Sequence, residues 1–192
     1  YFWSDVRQMI LALPGAFSGG EGEHERLVRL VVVGTVPIVI VGLLFADRLE
    51  GIRSPAVVAV TLALGGLGLL LAERLGRQDR EAATIGYVAA FAIGVAQTMA
   101  LVPGVSRSGA TLTLALLIGL RRASAARFVF LLSLPAVLAA AGREALKLSD
   151  VGWAAIPVTL FAVGLVTSAV VGYLTIKYFL RYLARHSLAG FA

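Results

Sequence analysis

The stretch Val102-Pro-Gly-Val-Ser-Arg-Ser-Gly-Ala-Thr111 sets an arginine, three hydroxyls and two glycines between two of the most apolar segments of the chain. What it can be depends on those segments. Hydrophobic residues make up 59% of the 192 residues and charged residues 15%, against the roughly 45–50% and about 25% of soluble domains. A soluble domain of that composition would expose large apolar patches, so the composition points to a membrane protein. Leu30–Ala46, Pro55–Ala72, Thr84–Val102 and Trp153–Ile176 contain no Asp, Glu, Lys or Arg. A helix needs about 20 such residues to cross a roughly 30 Å hydrocarbon core. Phe128–Gly142 is shorter, a length that suits a buried or partial span as well as a crossing. The expected fold class is therefore all-α, a polytopic membrane protein.

The net charge of +6 is not a nucleic-acid signal, because the basic residues sit at the ends of the apolar blocks, where they orient spans. Three-charge clusters (Arg7, Arg26, Arg29; Arg74, Arg77, Arg80; Arg121, Arg122, Arg127; Lys177, Arg181, Arg185) alternate with two-charge clusters (Arg48, Arg53; Arg143, Lys147). If Leu30–Ala46, Pro55–Ala72, Phe128–Gly142 and Trp153–Ile176 each cross, every three-charge cluster lies on the inside only when Thr84–Leu120 enters and leaves on the same side. That makes 84–120 a re-entrant helical hairpin with the opening stretch at its tip. Pro103 stops a helix by removing a donor, and Gly104 permits a tight reversal. The returning arm, Ala110–Leu120, is eleven residues, about 16 Å of helix, too short to span. Non-helical backbone at that depth survives only when buried in protein or lining a watery cavity. Small residues along the spans (Gly65, Gly66, Gly68; Gly164, Ser168, Gly172) suit close helix approach, and Pro37 and Pro135 mark kinks.

An arginine at a helix centre in a bilayer costs roughly 2.5–3.5 kcal/mol on insertion scales, and such residues usually mark function. Arg107 can pair with a carbonyl or carboxylate of the bundle, sit in a shallow interfacial loop, or bind a ligand. Its neighbours favour the last. Ser106, Ser108 and Thr111 supply hydroxyls within about one turn, and Gly104 and Gly109 leave backbone N–H groups unobstructed. Ser108 or Gly109 would open the returning helix, whose N-terminus attracts anions. The guanidinium fork matches phosphate oxygens. Together these form a phosphate cradle at membrane depth. Gln97 either bonds a neighbouring helix or points into the same cavity. Gly104–Thr111 also fits a P-loop except that Ala110 fills the lysine position, and no strand precedes it. A transporter or flippase of an anionic lipid or small anion is the rival class, since broken helices there also present N-termini to anions. His24, between Glu23 and Glu25, reads as part of a solvated loop rather than a metal ligand. There is no cysteine, which excludes disulfides and thiolate metal sites. No carboxylate lies in the apolar blocks to serve a hydrolase as base or metal ligand.

The segment "FAIGVAQTMALVPGVSRSGATLTLALLIGLRRASAARFVFLLSLP" (Phe91–Pro135) closely resembles the second signature region of the bacterial undecaprenyl-pyrophosphate phosphatases of the bacitracin-resistance type. Their P-G-x-S-R-S-x-x-T is matched by Pro103, Gly104, Ser106, Arg107, Ser108 and Thr111. "FW" at Phe2–Trp3, "GTVPIVIVGLLFADRLE" (Gly34–Glu50) and "IKYFLRYLARHSLAGFA" (176–192) extend the resemblance over essentially the whole chain. It implies two inverted-topology halves, each with a re-entrant helix pair, in the bacterial inner membrane. It implies removal of the terminal phosphate of undecaprenyl pyrophosphate to regenerate the carrier for peptidoglycan synthesis. The site would open to the outer side and depend on a divalent cation, Mg²⁺ or Ca²⁺. Arg107 would bind the pyrophosphate, Ser106, Ser108 and Thr111 would hydrogen-bond it, and Gly104, Gly109 and Gln97 would line the substrate. The attacking group would be one of the serines or a water. The implied partners are a polyprenyl pyrophosphate and the bilayer, with no nucleic acid and with a homodimer as the assembly left open. The family's first motif, paired glutamates followed by a serine-rich stretch ending in histidine, is not in these residues. The expectation is therefore of a fragment, lacking its acid/base and metal-binding groups and a last helix, and inactive by itself.

Overall fold

The computed structural model describes residues 1–51, 54–151, 157–183 and 186–191. Arg53, Arg185 and the start of the block at Trp153 lie outside them. The described residues form seven α-helices and no β-strand: α1 Trp3–Phe17, α2 Glu23–Glu50, α3 Pro55–Leu75, α4 Tyr87–Thr98, α5 Arg107–Leu117, α6 Arg122–Val151 and α7 Val158–Leu183. Four are long and apolar enough to cross a membrane, over Glu23–Phe45, Pro55–Leu75, Arg122–Leu146 and Val158–Leu183. The third runs well past the charge-free block Phe128–Gly142, because Arg127 and Arg143 lie on the helix itself. A charge-free run measures only the part of a span between its snorkelling ends.

α1 turns Ala12 and Ala16 towards Val28 of α2 and leaves Trp3, Leu11 and Phe17 exposed. Arg29 closes the end of α1 by donating to the carbonyls of Ala16 (3.1 Å) and Gly20 (2.8 Å). His24 lies in the first turn of α2, its Nε2 2.7 Å from Gln8 Oε1.

The core is built from α2, α4, α5 and the first half of α6, around Leu30, Ile93, Leu116, Phe128 and Leu132. Its tightest point is the crossing of α2 and α4 at two glycines. A Cβ built on Gly94 would run into Gly34 O and stand 2.7 Å from Gly34 C and 2.9 Å from Gly34 Cα, so only hydrogen fits. Of the small residues picked from the sequence, Gly68 faces α5, where an added Cβ would lie 3.8 Å from Thr113 Cγ2, while a Cβ on Gly65, Gly164 or Gly172 would touch nothing within 4 Å among the described residues. Spacing marks a permissive face, and a partner must still lie against it.

Three basic clusters come together in one layer at one end of the bundle. Arg26 donates to Ile85 O (2.9 Å), Arg121 pairs with Glu81 (3.1 Å), Arg122 with Glu73, and Arg127 with Asp5. Glu73 is almost fully enclosed, its side chain 7% exposed, while Arg122 keeps 35%. Removing the acid strands a partly buried cation, which costs more than losing a surface pair. Glu73→Ala is expected to lower stability by about 1–3 kcal/mol, read as a fall in the thermal midpoint of the purified protein. Arg121→Ala, at a mostly exposed pair, is expected to change it by less than about 1 kcal/mol.

Candidate active site at the hairpin tip

Residues 80–121 form a closed hairpin. At its base the amides of Asp79 and Arg80 both donate to Gly119 O at 3.0 Å, and Arg121 N–H donates to Arg80 O at 2.9 Å. Gly119, with φ +99°, ends α5. Leu120 N–H donates to Ala115 O (3.0 Å) and Gly119 N–H to Leu116 O (2.9 Å), the paired bonds that close helices at a left-handed residue. Two arms, α4 and α5, run from this base to the opposite end.

The tip follows from its sequence. α4 tightens into a 3₁₀ turn at Met99–Leu101. Val102 is extended, as a residue before proline tends to be. Val105 N–H donates to Val102 O (3.1 Å) with Pro103 and Gly104 between them, and Gly104 has φ +90°. That is a type II turn, with proline and glycine in the positions that demand them. A Cβ on Gly104 would also meet Thr61 and stand 2.7 Å from Val58 Cα and O of α3, so the tip lies flat against that helix.

Ser106 caps α5, its Oγ accepting from Gly109 N–H at 3.1 Å. The helix opens at Arg107 with Ser108 and Gly109 in its first turn, at the N-terminus as expected, but the Gly109 amide is not free, because the cap takes it. The unpaired amides of the first turn, among the described residues, are those of Arg107 and Ser108. The hydroxyls of Ser106 and Ser108 are exposed and 3.3 Å apart. Thr111 is fully buried, and its hydroxyl donates back to Arg107 O (2.7 Å). It braces the first turn from inside. Arg107 is half-buried, and among the described residues its guanidinium has no hydrogen-bond or ion-pair partner. A charge held among apolar helices without a counter-charge is a place prepared for an anion.

Beside the tip lies a groove of about 720 Å³ between α3 and α5, mostly apolar, lined at one end by Ser106 and Gly109 and further along by Gly65, Leu69, Thr113 and Leu117. Arg107, Ser108, Thr111, Gly104 and Gln97 do not line it. Gln97 is fully buried in α4 with neither amide atom bonded to a protein group. The structure thus brings Ser106, Arg107, Ser108 and Gly109 together on one turn, sets Thr111 and Gly104 behind them as supports, and leaves Gln97 apart.

Among the described residues no group of three or more His, Asp or Glu side chains could hold a metal ion. The nearest acids at the basic end are engaged, Asp5 with Arg127 and Glu81 with Arg121. These residues do not fit a divalent cation. One residue at the tip escaped the sequence reading. Thr61 of α3 donates to Pro103 O at 2.8 Å. Its signal was available, since it is the sole hydroxyl of α3, set in an otherwise apolar run.

Comparison with known proteins agrees with the resemblance. The chain matches the family described as Bacitracin resistance protein BacA over residues 1–192. It is 47% identical to the undecaprenyl-diphosphatase of Rubrobacter xylanophilus, covering 100% of this chain and 72% of that protein. It is 41% identical to the undecaprenyl-diphosphatase of Moorella thermoacetica (97% and 69% covered) and 44% identical to that of Pelobacter propionicus (100% and 71%).

Proposed function

The chain belongs to the bacitracin resistance protein BacA family, and from that premise we propose that it is a multi-pass inner-membrane undecaprenyl-diphosphatase whose substrate-binding tip is the 102–111 turn. The observation that carries the reading is Arg107, a half-buried guanidinium without a partner among the described residues, on the same helical turn as the exposed hydroxyls of Ser106 and Ser108. An anionic pyrophosphate supplies the missing counter-charge, bound through the planar fork of Arg107 and the unpaired amides at the start of α5. Ser106 and Ser108 hydrogen-bond its oxygens. Thr111 and Gly104 hold the turn, and Gly109 flanks the substrate where the groove begins. The groove suits an apolar chain leaving that headgroup. Gln97 belongs to the substrate-binding set only as the resemblance implies; it is buried in α4 away from the groove, with neither amide atom bonded among the described residues.

In the reaction a water attacks the terminal phosphorus directly, or a serine hydroxyl attacks it and water then hydrolyses the phosphoserine. The bond to the bridging oxygen breaks, undecaprenyl phosphate departs, the proton of the attacking group passes to solvent, and the terminal group ends as inorganic phosphate. Arg107 stabilises the charge that grows on the bridging and terminal oxygens, the kind of fixed electrostatic term that dominates phosphoryl transfer. The Mg²⁺ or Ca²⁺ that the resemblance implies is proposed to bind without ligands from the described residues.

The hairpin is proposed to be re-entrant. Its base is sealed within the basic layer, and each arm is too short to cross alone. With the basic layer on the cytoplasmic side, the tip faces outward. A homodimer is proposed as the assembly. The deciding experiment is phosphate release from undecaprenyl pyrophosphate by the full-length protein in detergent, beside uptake of the same lipid in vesicles. Release at catalytic turnover supports the reading; lipid movement without release would replace it with a transporter.

A further inference from the structure

We propose that Thr61 of α3 is a positioning residue that sets the geometry of the anion-binding turn through the carbonyl of Pro103. The Thr61 hydroxyl has one proton and three carbonyl oxygens within reach: Val57 O at 2.9 Å, Val58 O at 3.1 Å and Pro103 O at 2.8 Å. The first two are the usual bonds of a threonine to its own helix. The third reaches 42 residues along the chain and is the shortest.

Its acceptor is the carbonyl between Pro103 and Gly104, at the centre of the type II turn, and no other donor to that oxygen exists among the described residues. That central peptide can flip between type I and type II at little steric cost when glycine follows. Its orientation sets the dihedral angles at Gly104, and with them the lead-in through Val105 and the cap Ser106 to the first turn of α5, where Arg107 sits. The Val58 backbone lies against Gly104 on the same side as Thr61, so α3 leaves the turn little room to shift. Thr61 thus acts on the turn as a latch, and its own contact with the groove is incidental to that role.

The kinetic part of the test rests on the phosphatase reading; the second part does not. Thr61→Val keeps the shape and removes the donor, and Thr61→Ser keeps the donor. In the full-length protein Thr61→Val is expected to lower kcat for phosphate release about three- to tenfold, the worth of one neutral hydrogen bond, with KM within about twofold. Thr61→Ser is expected to restore kcat to within about twofold. An unchanged kcat in Thr61→Val, or equal losses in both variants, would overturn the proposal. None of these 192 residues is a cysteine, so Val105→Cys supplies the only thiol among them, and the same protein with Val105 kept gives the background labelling. The labelling rate of this thiol with N-ethylmaleimide is expected to rise about threefold or more with Thr61→Val and to fall back with Thr61→Ser. A rate indifferent to residue 61 would also overturn it. Absence of phosphate release from the unmodified protein would remove the phosphatase reading, while the labelling rates would still decide the role of Thr61.

Discussion

Arg107→Ala is expected to cut phosphate release from undecaprenyl pyrophosphate by about 100- to 1,000-fold, the range seen when one preorganised electrostatic partner is removed from a phosphoryl- or acyl-transfer site. The loss should fall mainly on kcat, because charge on the bridging oxygen grows towards the transition state. Arg107→Lys keeps the charge but not the planar fork, and it should recover about a tenth of the lost rate or less. Stability is the discriminating control. Among the described residues the Arg107 guanidinium bonds to nothing, so alanine, which keeps the backbone carbonyl that Thr111 uses, should change stability by no more than the roughly 0.5 kcal/mol usual for side chains without structural partners. Release above about a tenth of the wild-type rate would take Arg107 out of the role given to it. A large loss of stability would show that it is a structural cation.

Gly94→Ala should do the reverse, destroying the fold before the chemistry. Its added methyl would meet the backbone of Gly34, with the carbonyl carbon at 2.7 Å and Cα at 2.9 Å. Backbone cannot swing aside as a flexible side chain can, so α2 and α4 must part along the tightest seam of the core. Overpacking of this kind costs about 1–3 kcal/mol and more where nothing yields. The purified variant should melt at least several degrees lower. Gly65→Ala is the matching control. With nothing within 4 Å of the new methyl, it should be neutral or gain up to about 1 kcal/mol from helix propensity. Equal behaviour of the two variants would show that the Gly34–Gly94 crossing is not a close contact.

What the sequence made legible is what composition and covalent chemistry determine locally. Four spans could be read because charges bound them, and the length of α6 was underestimated because Arg127 and Arg143 ride on the helix. The turn at 102–105 could be read because Pro and Gly occupy the positions a type II turn requires. Pairings across long separations were not legible. Nothing local marks Gly34 and Gly94, out of 21 glycines, as the pair that touches. Glu73 finds Arg122 from 49 residues away and Thr61 finds Pro103 from 42. The cap at Ser106 was missed for a subtler reason. A serine three residues before a glycine amide can serve as a ligand or as a helix cap, and only the backbone angles of Ser106 decide between them.

The sealed base of the hairpin has a consequence for distance. Backbone bonds at Arg80, Gly119 and Arg121 fix where the segment starts, and α5 is a rod of eleven residues, about 16 Å long. The rod therefore works as a depth gauge, setting how far from the basic layer the guanidinium is carried, whatever side chains it bears. Lengthening α5 by one turn would advance Arg107 by about 5.4 Å and leave its chemistry intact. The charge would then be out of reach of a headgroup whose own depth is fixed by the bilayer.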